Sequence, residues 1–400
     1  MDICTHLLAT FEPCLIQFGI DPPLAQGIAL MLNVLLVLLA PLIMALTAIY
    51  VERKLSARIQ DRVGPNRVGP YGTMQNFADV IKLITKEDII PDGADRFLFR
   101  FAPVLTFTSV LLIWANVPLT PLHLGAALSI GVPYFLAVSS LGTLGIMIAG
   151  WSSNNKYGLL GALRSVALLV SYEIPLVFAL IVPVLLAGTL SLQGIVEAQA
   201  GVWYIVIAPV AALIFFVSNL AETGRPPFDL IEAESEIVAG YNVEYSGMRF
   251  GLFMGAEFLH FLTVNVVFAV IFLGGWHGPG VQEYPVLGVV YLFGKAALSY
   301  FVAIWVRFTV PRLRIDQIMN LNWKFLVPLS VVNLAVTAVL LKLTQPAGTH
   351  ATADLGANLP QTLVLLVGNL LIIGVVLSRL QRVGRHVRRT MDIEAIVPVQ

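Results

Sequence analysis

Nine predominantly apolar stretches, each about 18–25 residues long, recur along this 400-residue chain. A helix of that length crosses a hydrocarbon core about 30 Å thick. They fall at residues 27–50, 101–118, 130–150, 163–187, 202–220, 250–274, 286–308, 325–343 and 361–379. Only 12% of residues are charged and 58% are hydrophobic, against about 25% charged in soluble domains. So little charge cannot cover a water-soluble globule of this size. The pattern therefore predicts an all-α polytopic membrane helix bundle with about nine transmembrane helices. Glycines and prolines inside these runs do not argue against helices, because neighbouring helices can satisfy the freed backbone groups.

The basic residues orient the bundle. Arg53, Lys54, Arg58, Arg62, Arg67, Lys82, Lys86, Arg96 and Arg100 crowd residues 51–100, while 119–129 hold no Lys or Arg. The alternation continues to the last loop, and only Lys295 and Lys342 depart from it. Cationic loops stay cytoplasmic, so the N-terminus is expected outside and the C-terminus inside. Residues 1–26 lack Lys and Arg and contain Asp2, Glu12 and Asp21, which is no secretory signal. Cys4 and Cys14 are too few to complete a zinc or iron–sulfur site and read as incidental thiols. Formal net charge is zero, which predicts no nucleic-acid partner.

Residues 73–86 differ from the spans. Met74, Phe77, Ile81 and Ile84 recur at helical spacing opposite Gln75, Asp79, Lys82 and Lys86. That is an amphipathic helix lying along the cytoplasmic interface, preceded by turns at Gly64-Pro65 and Gly69-Pro70. The basic tail (Arg379, Arg382, Arg385, Arg388 and Arg389) reads as a solvated stop signal near anionic headgroups.

Three constellations carry chemistry. The first is acidic: Glu222, Asp229, Glu232, Glu234, Glu236 and Glu244 share one cytoplasmic loop. Asp229 and Glu232 have capping-box spacing, which accounts for two of them. The rest read as a functional acidic site or as a solvated loop helix. The second lies within the spans. Glu173 is nine residues beyond Arg164 and Glu257 eight beyond Arg249, so each lies about 12–13 Å deep. Intramembrane carboxylates are costly and usually line an ion path or a water-filled cavity, and Pro175 can free a carbonyl beside Glu173. Lys295, also near mid-membrane, is expected to pair with a buried Glu, as a structural ion pair or in a proton relay. His260 reads as a hydrogen-bonded core histidine rather than a ligand. The third constellation is Glu52-Arg53-Lys54 with Arg58, Arg62 and Asp79. It is either an ordinary basic boundary or a place where arginines receive a polar headgroup whose tail stays in lipid. No Walker A pattern, dinucleotide fingerprint or Cys/His-rich set is present, so redox and nucleotide chemistry must belong to partner chains.

Four stretches taken together resemble the H subunit (subunit 1) family of respiratory complex I, the proton-pumping NADH:quinone oxidoreductase. They are ERKLSARIQDRVGPNRVGPYGTMQNFADVIKLITKE (52–87), SNNKYGLLGALRSVALLVSYEIP (153–175), AETGRPPFDLIEAESEIVAGYNVEYSG (221–247) and WVRFTVPRLRIDQIMNLNWKFLVP (305–328). The resemblance implies a membrane subunit of the bacterial cytoplasmic membrane that forms the quinone chamber and couples quinone reduction to proton translocation. It implies Arg53, Arg62, Asp79, Lys82, Arg225 and Arg307 at the quinone, and Glu173, Glu222, Asp229, Glu232, Glu234, Glu236 and Glu257 on the proton path. It also implies quinone as substrate, with no flavin, metal, nucleotide or cluster in the chain. The implied partners are peripheral-arm iron–sulfur subunits on the cytoplasmic side and small or antiporter-like membrane subunits. The family-like membrane domain would occupy residues 27–343, after an outside segment at 1–26. Two departures stand out: Gly224 replaces the usual Asn of an ETNR-type motif, and 344–400 add a ninth helix and a basic tail. The alternatives are the equivalent subunit of a membrane-bound hydrogenase or other relative, and a stand-alone cation/proton antiporter.

Overall fold

The computed structural model describes residues 15–16, 21–121, 126–230, 239–344 and 359–396. Among them there is no β-strand. Among the described residues, eight helices are long and apolar enough to cross a membrane. In chain order the helices are α1 (Pro22–Ile59), α2 (Gln75–Thr85), α3 (Arg96–Trp114), α4 (Gly131–Ser152), α5 (Lys156–Ala187), α6 (Leu192–Glu197), α7 (Tyr204–Ile207), α8 (Pro209–Glu222), α9 (Gly247–Phe272), α10 (Val286–Thr309), α11 (Ile315–Leu321), α12 (Val327–Thr344) and α13 (Leu359–Ile396). A π-helical turn at Asn322–Leu326 joins α11 to α12.

The span expected at 202–220 is not one helix. It divides into α7 and α8 at Ala208, where φ is −127° and ψ 59°. Pro209 is the cause: it cannot donate an N–H, but its fixed φ suits the first position of a new helix. Other helices outrun their apolar stretches. α5 begins at Lys156 rather than 163 because the Asn155 side chain accepts from Tyr157 N at 2.9 Å and caps it. Asp95 caps α3 in the same way, accepting from Phe97 N and Leu98 N at 3.1 and 3.2 Å.

Two helices form the centre. The most apolar window of α9 is 78% buried and that of α5 56%, against 39% or less elsewhere among the long spans. Between apolar helices, packing depends on close backbone approach and interhelical hydrogen bonds, and both occur here. A Cβ on Gly145 of α4 would sit 2.1 Å from Thr106 Oγ1 of α3, so those backbones are nearly in contact. Trp114 Nε1 donates to Thr263 Oγ1 at 2.7 Å, and Asn322 Nδ2 donates to Ser171 O at 2.6 Å.

Loops gather at two opposite ends. At the basic end, Leu313 N donates to Pro227 O at 3.0 Å and Asp95 N to Ser152 O at 3.0 Å. At the other end, Asn116 donates to Gly131 O and Gln199 accepts from Gly274 N. Lys295 belongs to this second end. Its ammonium donates to the carbonyls of Gly275 (2.9 Å) and His277 (2.8 Å) and lies 4.7 Å from the Trp203 ring. The expected pairing with a buried glutamate is therefore replaced by carbonyl ligation. The two glycine-bearing turns that close α9 leave carbonyls needing donors, and Lys295 supplies them.

Candidate functional site

The site starts from a carboxylate at the basic end of α1. Glu52 is 4% exposed. Arg307 of α10 donates to its Oε1, and Tyr300 Oη donates to its Oε2 at 2.9 Å. Arg225, just past α8 and equally buried, places Nη1 3.5 Å from Glu52 Oε1 and Nε 3.6 Å from Glu257 Oε1 on α9. Its guanidinium also lies over the rings of Phe258 and Phe261, at 4.5 and 5.2 Å. Two carboxylates and two guanidiniums thus share one buried cluster, with Arg225 bridging the acids. A charge buried without such partners would be prohibitive, and Arg is suited to the bridge because its planar fork serves two partners and stacks on aromatics.

Glu257 also faces a cavity of about 70 Å³ between α3, α4, α5, α8 and α9. Its polar lining includes Ser109, Ser139, Thr143, Glu222, Glu257 and His260. Hydroxyls and carboxylates at this density provide the two to four partners each ordered water needs. His260 Nε2 stands 3.5 Å from Glu222 Oε1 across it. His260 is thus a partly buried histidine that faces both the cavity and an acid. Glu173 lies one turn beyond the cavity-lining Leu169 on α5 and accepts from Ser140 Oγ of α4 at 3.2 Å.

A second group sits where α2 meets α1. Asn76 Nδ2 donates to Leu46 O at 2.6 Å and fastens α2 to α1. Arg53 then donates to Asp79, whose other oxygen accepts from Gln75 Nε2 at 3.1 Å. Burial pushes the Asp79 carboxyl up, but the Arg53 and Gln75 hydrogen bonds and the Arg53 charge outweigh it and hold it below its usual value. Phe77, Ile81 and Ile84 leave the apolar face of α2 exposed.

The family model for NADH dehydrogenase matches residues 32–338, which include every group named above. This chain belongs to the NADH dehydrogenase family. It is similar to the NADH-quinone oxidoreductase H subunit of Dehalococcoides mccartyi strain CBDB1, at 46% identity over 81% of this chain and 90% of that one. It is also similar to an NADH-quinone oxidoreductase H subunit of Geobacter metallireducens, at 45% identity over 80% of this chain and 99% of that one. With the H subunit of Geobacillus sp. WCH70, identity is 46% over 77% of this chain and 93% of that one. α13 lies beyond the matched segment.

Within this NADH dehydrogenase family chain, the residues singled out from sequence separate into groups. Arg225, Arg307, Glu222 and Glu257 come together, and Arg53 meets Asp79. Arg62 and Lys82 stay exposed, and Arg62 Nε donates only to its neighbour Gln60. Asp229 is half-buried; burial pushes its carboxyl above the ordinary value against the opposing charges of Arg312 and Arg225. Glu244 accepts from Asn155 Nδ2 at 2.6 Å and ties two loops together. Glu232, Glu234 and Glu236 lie outside the described residues, as do Cys4 and Cys14. Gly224, the departure from the family motif, has φ +61°. Asn is among the few other residues that adopt that conformation readily, so the turn survives the exchange. Sequence reasoning passed over Glu52 as part of a basic boundary. Its signal was a carboxylate on the last turns of an apolar helix, with arginines following.

Proposed function

We propose that this chain is the H-type membrane component of an NADH:quinone oxidoreductase, where it forms the quinone chamber and carries the first protons of coupled translocation. The observation that supports this best is the Arg307–Glu52–Arg225–Glu257 cluster joined at Glu257 to a cavity that Glu222 and His260 also line, with Glu173 one turn beyond its wall.

Quinone is a substrate here, with its electrons coming from iron–sulfur subunits of a peripheral arm docked at the basic end. The quinone headgroup enters over the exposed apolar face of α2 and meets Arg53–Asp79, with Arg62 and Lys82 on the approach. Two electrons and two protons convert quinone to quinol. Negative charge on the reduced headgroup draws Arg225 and Arg307 and loosens their hold on Glu52 and Glu257. A carboxylate losing a cationic partner takes up a proton more readily. Glu257 then loads from the cavity, and Glu222, His260 and Glu173 carry the change inward. Asp229, with Glu232, Glu234 and Glu236 after it, extends the acidic approach at the basic end. That end faces the bacterial cytoplasm and residues 1–26 lie outside. Small and antiporter-like membrane subunits receive the proton charge beyond Glu173.

The test is quinone kinetics in the assembled complex. Asp79→Ala and Arg53→Ala should each raise the KM for a short-chain quinone about tenfold, the scale of one lost charge-assisted contact. Reduction of the partner clusters by NADH should be unchanged. Wild-type quinone kinetics in both variants would return this pair to a purely structural role.

A further inference from the structure

The break between α7 and α8 has a consequence at the far end of α8. The helical ladder resumes with Ala212 N donating to Ala208 O at 3.1 Å, which passes over the carbonyl of Ile207. Ile207 and Ala208 are 1% and 0% exposed, and a buried carbonyl needs a donor. It finds one on α13. Asn369 Nδ2, on a residue only 2% exposed, donates to Ile207 O at 3.1 Å while also meeting Leu365 O of its own helix at 3.1 Å. Leu365 is fully buried one turn away. Gly368 brings α13 close to α12, since a Cβ there would meet Leu340 Cδ1 at 2.3 Å.

We infer that α13 is an intramolecular clamp on this break, and that Asn369 is the positioning residue through which it sets the direction of α8. The geometry makes direction matter. From Pro209 to Glu222, α8 is about 20 Å long, so a bend of about 5° at the break moves Glu222 by about 2 Å. Glu222 stands 3.5 Å from His260, so a shift of that size makes or breaks their contact. The clamp lies outside the segment that defines the family.

The clamp itself stands on the hydrogen bond; its effect on pumping rests on the carboxylate path proposed above. In the assembled complex, Asn369→Leu keeps the helix apolar but removes the donor. Amide hydrogen exchange across residues 203–215 should rise several-fold, protons pumped per quinone should fall, and Asn369→Gln should restore both. Unchanged exchange in Asn369→Leu would overturn the clamp. Raised exchange with unchanged pumping would leave the clamp standing and count against Glu222 as a relay. If Asn369→Leu fails to assemble, the pair Ile207→Cys and Asn369→Cys, in a Cys4→Ser, Cys14→Ser background, provides the second test. Oxidation should cross-link α13 to the break with quinone reduction and pumping retained. No cross-link, or loss of turnover once cross-linked, would overturn a clamp that stays closed during catalysis.

Discussion

Glu52 shows how one side chain in an apolar bundle serves several partners at once. Removing one member of a buried ion pair costs about 3–5 kcal/mol, because the remaining charge loses its compensation. Glu52→Leu strands both Arg225 and Arg307 and should lower the amount of assembled complex several-fold on a native gel, whereas Glu52→Gln, which still bonds both, should lower it less. Glu173 separates relay from packing more sharply. Glutamine keeps the Ser140 contact but exchanges no proton. Glu173→Gln should therefore assemble yet lose proton translocation in reconstituted vesicles, with coupled quinone reduction falling alongside. Vesicles of that variant acidifying at the wild-type rate would remove Glu173 from the path. The two acids outside the spans respond to pH in opposite senses. Asp79, held below its usual value, contributes stability that is complete above the unfolded pKa near 3.8 and is lost only as pH falls through the lower folded value. Asp229, pushed above its usual value, costs stability once ionised, so its cost grows as pH rises through the raised folded value. Asp229→Asn should thus raise the thermal midpoint at pH 7 and leave it unchanged near pH 3, by calorimetry of the assembled complex.

Helices here are placed by what their small and polar residues permit. Gly161 of α5 faces the backbone of the 240–242 turn: a Cβ there would lie 2.6 Å from the carbonyl carbon of Gly240. Backbone cannot step aside as a flexible side chain can. Gly161→Ala should therefore push the turn outward and displace Tyr241 from the cavity wall it lines. The expected result is slower pumping with quinone binding intact, read as a lower kcat at constant KM. The same reasoning explains why the amphipathic α2 was legible and the α7–α8 break was not. The α2 stripe is a periodic pattern along the chain and needs no partner to be recognised. Pro209 sits in an apolar stretch where a kinked continuous helix and two separate helices have the same sequence signature. The donor that satisfies the broken chain, Asn369 Nδ2 on Ile207 O, lies 162 residues along the chain and has no local signature.

At the scale of the molecule, the two loop ends have opposite chemistry, and that asymmetry is open to labelling. Tyr284 and Leu190 are exposed at the end poor in cations, and Val63 and Val310 at the basic end. Cysteines replacing the first two should react with an impermeant thiol reagent in intact cells, and those replacing the last two only after the membrane is opened. Reaction at position 63 from outside would invert the bundle. Outward-facing apolar surface is abundant on α1, α2, α10, α12 and α13, as a chain solvated by lipid and by other membrane subunits requires.

By itself the sequence determined the all-helical membrane class, the nine apolar stretches, the amphipathic α2 and the family. Each of these is written in local composition, in periodicity or in contiguous motifs. It also supplied most members of the site, because an acid or a base inside an apolar run stands out wherever it occurs. What it could not hold was their pairing. Glu52 with Arg225 and Arg307, His260 against Glu222, Lys295 on two carbonyls rather than on an acid, and Glu244 held by Asn155 are contacts between residues 18 to 255 positions apart. The tertiary structure decided them, because a charge in a low-dielectric interior takes whichever partner the packing of neighbouring helices brings within about 4 Å.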